Sequence, residues 1–448
     1  MSSHFLQRLT SSPAAPRARL PIDLALASAL AAVIGLLGGC LGTASGSYTV
    51  GGTVTGLTSN GLVIANGSDT LSVASGSSSF TFATEVDTGD TYEVTVTTQP
   101  DGQTCSVTNA SGTMASAKIT NVAVTCRSYV ALVADSGEAK VSSHLLGDDG
   151  ALGAAVNATA ASKPSGIVLS PDGKYAWVTN AGSGTVISYA VASDGSLSML
   201  GTVSAGSAPV GIAVTPSGDY VYVANGGGTT LSQYVVGDTG TLSALSTASV
   251  NSGSKPLGVA VAASGAYAYS VNSGANTLAQ YTVGSSGALS AMSTATVATG
   301  SVPQAVAVHP TGVAVYAVNY GGHSISQYSV GTSGALTAMS VATVSAGTNP
   351  VAMALRPDGK YAYVANAGSG TVSLYSVSST GALTSAGSYA TGSTPSGVAV
   401  SPDGLYVYVT DSGDNTVSQY SIGSGGKLVA LSSATVATGT TPLGIAVR

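Results

Sequence analysis

From about residue 129 to Arg448 the chain repeats one arrangement of apolar and polar positions, clearest between Pro350 and Leu383. A short apolar run, Pro350-Val-Ala-Met-Ala-Leu355, is followed by Arg356-Pro-Asp-Gly359. There Pro presets φ at the second turn position and Gly tolerates positive φ at the last. Tyr361-Ala-Tyr-Val-Ala-Asn366 then puts Tyr361, Tyr363 and Ala365 on one face and Ala362, Val364 and Asn366 on the other. Neither face carries a charge, so the pattern predicts a strand covered on both sides. Ala367-Gly-Ser-Gly370 turns the chain into Thr371–Val377, and Thr380-Gly381 opens a last hairpin toward a weaker fourth strand. Four such short strands cannot bury their own faces, so the units must stack.

The second-strand pattern ends at Asp135, Asn180, Asn225, Asn272, Asn319, Asn366 and Asp411, at intervals of 45, 45, 47, 47, 47 and 45 residues. First-strand prolines recur in step at Pro164, Pro209, Pro256, Pro303, Pro350, Pro395 and Pro442. Four strands per unit at this period predict an all-β fold, a seven-bladed β-propeller spanning 128–448. The array starts in mid-unit at Tyr129 and ends on the missing piece, Pro442–Val447. The C-terminal strand is therefore expected to complete the first blade and close the ring, leaving no open blade face. Tyr361-Ala-Tyr-Val-Ala-Asn366, Tyr220-Val-Tyr-Val-Ala-Asn225 and Tyr175-Ala-Trp-Val-Thr-Asn180 resemble the motif of the YVTN-repeat, lactonase-like propellers. A WD-repeat propeller does not fit, because Trp177 is followed by Val178.

Residues 1–39 carry Arg8, Arg17 and Arg19, then an apolar run from Leu24 to Leu37, the layout of a secretory signal. Leu37-Gly-Gly-Cys40 resembles the bacterial lipobox, which implies lipidation of Cys40 and, with Leu41 following, an outer-membrane lipoprotein facing the periplasm or the surface. The alternative is an ordinary secretory signal in which Cys40 has no role. Residues 40–47 then form a short tether. Residues 48–126 alternate as strands do, as in Tyr92-Glu-Val-Thr-Val-Thr97, and predict a small antiparallel β-sandwich. It resembles the immunoglobulin-like modules that follow lipoboxes in bacterial surface proteins, which implies a spacer role. In an exported chain with Cys40 lipidated, Cys105 and Cys126 remain as the natural disulfide pair.

Only 7% of residues are charged, and without residues 1–39, which hold Arg8, Arg17, Arg19 and Asp23, the net charge falls from −6 to about −8. An acidic, Ser/Thr/Gly-rich surface leaves no electrostatic footprint for nucleic acid. No haem, phosphate-loop or zinc-helix motif is present, and no cofactor is expected. Some lactonase-like propellers open sugar lactones with Glu, His and Arg at the channel mouth. Here the array has Glu138, His144, His309, His323, Arg356 and Arg448, and that set does not map onto the family's positions.

The candidate ligand contacts are residues that break the repeat. His309 and Arg356 occupy the same slot before the turn proline in successive units, either an anion contact or two solvated turn residues. His323 replaces a small hairpin residue. Asp411 and Asp414 are weak calcium candidates, better read as a turn whose side chains cap backbone amides. Lys163 and Lys255 precede first-strand prolines and read as solvated surface. Tyr175, Tyr220, Tyr267, Tyr361 and Tyr406 recur too strictly for a carbohydrate row and should pack between blades. These readings favour a lipid-anchored, non-enzymatic platform for a protein or carbohydrate ligand. The alternatives are a divergent lactonase-like hydrolase acting on a small cyclic ester and a structural or adhesive surface component.

Overall fold

The structure is a computed structural model, and residues 46–448 are described. Cys40 and the proposed signal lie outside the described residues. Beyond the N-terminal module the chain forms seven four-stranded antiparallel sheets. We number the blades in chain order and letter their strands from the ring's centre outward. Blade 6, for example, runs Pro350–Leu355 (a), Tyr361–Asn366 (b), Thr371–Val377 (c) and Leu383–Ala390 (d). Blade 1 has strands b to d at Val130–Asp135, Lys140–Leu145 and Val156–Thr159, and its strand a is Pro442–Val447. That last strand pairs antiparallel with Val130–Asp135, with Leu132 opposite Ala446, and main-chain bonds of 3.1 Å join Val130 and Arg448 in both directions. The ring is closed as the frame of the repeats requires.

The ring has no single core. Apolar side chains from each pair of adjacent blades form a separate packed layer, seven in all. Tyr363 and Ala365 pack toward blade 7, while Ala362 and Val364 pack toward blade 5. This is the two-faced burial that an uncharged, alternating strand predicts. Near the axis the first strands crowd together, and glycine makes this possible. A Cβ on Gly211 would lie 2.4 Å from the Leu257 carbonyl oxygen of the next blade.

The fourth strands depart from expectation, because several are the longest of their blades. Leu242–Asn251 and Leu428–Ala437 each run ten residues. Their sequences look weak because most of their side chains are exposed, whereas both ends of each strand pair with a buried third strand. A bulge interrupts each of these pairings. Bulges of this kind increase local twist and disfavour further strand addition at an uncharged edge.

The N-terminal module consists of two four-stranded sheets and a two-stranded ribbon of Ser47–Tyr48 and Val86–Asp87, with one core that includes Val50, Ile64, Phe82, Val94 and Val124. The sandwich is not purely antiparallel. Ile119–Ser128 pairs parallel with Val50–Thr55 on one side and antiparallel with Gln103–Thr108 on the other. Alternation alone specifies burial and carries no strand direction. Cys105 and Cys126 face each other across the antiparallel pair and are disulfide-bonded.

Candidate functional site

The up-and-down course of each blade assigns every candidate residue to one of two faces. The a–b turns and c–d hairpins share one face, called here the turn face, and the b–c hairpins and d–a loops share the other, the loop face. His309 and Arg356 lie on the turn face, and His323, Asp411, Asp414, Lys163 and Lys255 lie on the loop face. The structure therefore does not bring His323 together with His309 and Arg356.

His309 is 6% exposed, and both ring nitrogens are engaged. Nε2 lies 2.9 Å from the carbonyl oxygen of Gly359 in the turn of blade 6 and must donate there, since a carbonyl only accepts. Nδ1 then accepts from the Thr311 amide at 3.2 Å and lies 2.9 Å from its hydroxyl. The ring is a latch between blades 5 and 6. Gly359 has φ 72°, and a Cβ there would sit 2.5 Å from the imidazole.

Arg356 makes the same forward reach, toward Gly404 in the turn of blade 7. Its guanidinium lies 5.9 Å from the Tyr361 ring centroid and 3.6 Å from the Asp358 carboxylate. Where the slot holds Ser170 in blade 2, the hydroxyl instead accepts from the Tyr175 amide at 2.9 Å and donates to Asp172 at 2.7 Å. Arg448, the residue after blade 1's central strand, occupies this slot too and packs on Gly173 of blade 2. Sequence reasoning names Arg448 without its slot, although the register of the closing strand against the other first strands shows the equivalence.

His323 is a hairpin residue with φ 48° whose Nδ1 accepts from the Asn349 amide at 3.0 Å. Asn276 and Asn415 fill this position in blades 4 and 7 and accept from the Val302 and Thr441 amides in the same way. His323 is thus a variant of an asparagine staple between a hairpin and the loop entering the next blade. Lys163 and Lys255 are exposed, and their carbonyls accept from the Ala181 and Ser273 amides.

Asp411 is fully buried at the end of its strand, where blades 2 to 6 carry asparagine, and accepts from Ser418 at 2.6 Å. Burial outweighs that bond and pushes its carboxyl up to about 6. Asp135 is the equivalent residue of blade 1. Burial raises it to about 6 as well, against hydrogen bonds from Ser142 and Thr438. Asp414 accepts from the Ser393 amide at 2.6 Å. Among the described residues no group of three or more His, Cys, Asp or Glu side chains converges as a metal site. His144 is buried, with Nδ1 2.9 Å from the Gly153 carbonyl oxygen, and burial lowers its pKa.

The repeated tyrosines are seam bonds. Tyr175, Tyr220 and Tyr267 donate to the carbonyls of Asp238, Ser285 and Thr332 in the following blade. Two positions on, Tyr222, Tyr269, Tyr316, Tyr363 and Tyr408 donate to hairpin glycine carbonyls at 2.6 to 2.8 Å.

The family model for the lactonase seven-bladed β-propeller matches residues 150–255, 231–400 and 306–447. The chain belongs to the lactonase family. No curated protein matches it. Among solved structures, a Pseudomonas aeruginosa periplasmic gluconolactonase superposes on this lactonase-family propeller with a TM-score of 0.63. It is 20% identical, over 71% of this chain and 98% of its own. A Bacteroides uniformis protein provisionally named a 6-phosphogluconolactonase gives 0.64 at 20%, covering 71% and 99%. Kuenenia stuttgartiensis hydrazine synthase gives 0.51 at 18%, covering 64% and 94%. At these identities the likeness is one of fold, and this fold carries more than one chemistry.

Proposed function

We propose that this lactonase-family protein is a lipid-anchored envelope protein whose ring is a binding platform rather than a lactone-opening enzyme. The observation that carries the reading is how its histidines are used. His309 spends both ring nitrogens on a latch between blades, His323 lends its lone pair to a loop amide, and His144 is buried in blade 1. A general base must keep a lone pair within reach of substrate. These three keep theirs for the fold.

The second reading, a hydrolase acting on a small cyclic ester, draws on the family match and on the gluconolactonase among the structural neighbours. A pH-stat assay with δ-gluconolactone separates the two. The platform reading expects ring opening at the spontaneous rate. Acceleration by the wild-type chain that falls in His309→Ala or Arg356→Ala would establish the hydrolase instead.

A further inference from the structure

The N-terminal module meets the ring on the turn face, and the join is short. Ile119–Ser128 passes through one buried residue, Tyr129, into Val130–Asp135. The Tyr129 amide donates to Gly102 O at 2.7 Å, and Ser59 Oγ donates to Asp148 at 3.0 Å. Between module and ring lies a cleft of about 460 Å³. Leu169, Pro171, Pro402 and Val447 give it apolar walls, and Arg127, Arg448 and Lys174 give it charge. Residues 46–448 contain three arginines, so two of the three meet at this one cleft.

The carboxylates nearby are already engaged. Asp172 pairs with Lys174 at 2.8 Å, and Asp403, beside Tyr129, accepts from Ser401 and from the Leu405 amide. The main-chain oxygen of Arg448 accepts from Val130. Among the described residues neither guanidinium forms an ion pair with a side-chain carboxylate. The polar contact of Arg127 is a long bond to Val191 O at 3.4 Å. Arg448 donates to the Gly173 and Ala192 carbonyls, and its buried Nε has no partner. Burial, and then the charge of Arg127, bring Arg448 down to about 10, against the smaller opposing effect of the Asp172 carboxylate. Two guanidiniums that repel one another in a partly desolvated cleft are stabilised by a shared anion.

We propose that this cleft binds a small organic carboxylate, its head group held by Arg127 and Arg448 and its apolar body lying against Leu169, Pro171 and Val447. Guanidinium forks match a carboxylate in two-point geometry. Clefts between modules with mostly apolar walls and a few convergent polar groups are the usual form of small-ligand sites. The assignment holds whether or not the ring opens lactones.

Isothermal titration of the full chain with benzoate tests it, with inorganic phosphate and gluconate as comparison anions. The expected result is saturable one-to-one binding of benzoate that weakens with salt. It should fall about tenfold or more in Arg127→Gln and be unchanged in Lys255→Gln on the opposite face. If Arg127→Gln does not fold, Arg127→Lys, which keeps the charge and loses the fork, takes its place. Absence of binding, or equal binding by the Arg127 variant, overturns the site. Phosphate or gluconate binding as tightly as benzoate overturns the apolar-body assignment.

Discussion

Blade 1 and the other six blades share one strand plan and differ in how they are bonded to their neighbours. From blade 2 to blade 7, strand b sends an aromatic donor forward to a hairpin glycine carbonyl: Trp177 in blade 2 and tyrosines in the rest. Strand c of the same six blades sends a tyrosine hydroxyl back to the preceding blade, as Tyr281 does to Asn251 O at 2.9 Å. Blade 1 has Leu132 in the first slot and His144 in the second. The forward acceptor there, Gly195 O, is taken by Ser143 at 2.6 Å, and His144 lies 3.4 Å from Thr438 Oγ1. The acceptor carbonyl comes with the backbone and is always present. What varies is which side chain reaches it, so a blade assembled from both ends of the array can leave the tyrosine pattern without orphaning the backbone.

The sharpest way to break the comparison is to stop the chain after Thr441. Blade 1 then loses its central strand, the edge of Val130–Asp135 is uncovered, and the layers toward blades 7 and 2 open. Loss of the cooperative thermal transition is expected, read by circular dichroism and size exclusion. Internal deletion of a whole blade from the middle of the array is expected to be better tolerated, because it removes one complete layer.

A second contrast concerns the strand-b ends, aspartate in blades 7 and 1 and asparagine in the other five. The folded carboxyls near 6 lie above the value of about 4 in an unfolded chain, so charging them on folding costs stability above pH 6. That cost fades as pH falls through 6 toward 4. Asp411→Asn should therefore stabilise the protein by about 2 kcal/mol at pH 8, and Asp135→Asn similarly. The gain should vanish near pH 4 in denaturant melts taken across that range. A gain that does not change with pH would show that packing rather than charge is responsible.

The seam bonds supply the smallest expected effect. Tyr269→Phe leaves the Gly334 carbonyl without its donor and should cost about 1–2 kcal/mol. Ser143→Ala at the blade 1–2 seam should cost about the same if the serine replaces the tyrosine in energy as well as in position. A much smaller cost would mark this seam as the weak one.

The ring, its closing strand and its interblade tyrosines were legible in the sequence because Pro, Gly and Tyr recur at fixed offsets that map directly onto turns and strand faces. The candidate residues were placed on the right elements, yet their bonding was not visible. Recognising that His323 does an asparagine's work requires seeing the amide it accepts from, in the loop entering the next blade. The residues before the first-strand prolines were equally hidden. Lys163, Val302, Thr394 and Thr441 all have φ near 50°, against the preference of residues preceding proline for extended backbone. Carbonyl bonds to the neighbouring hairpin hold them there. Arg127 escaped notice for a different reason. Its partner in the cleft, Arg448, lies at the far end of the array, and nothing local to either residue announces the other.

The closing strand also sets an order in time. Residues Pro442–Val447 follow blades 2 to 7 in the chain, so during synthesis or export six blades emerge before the ring can shut. Until then the edge of Val130–Asp135 and two of the packed layers stay open to solvent or to chaperones. The disulfide-bonded module precedes all of them and has its own core, so it has the longest opportunity to mature first. Closure of the ring is therefore timed by strand Pro442–Val447.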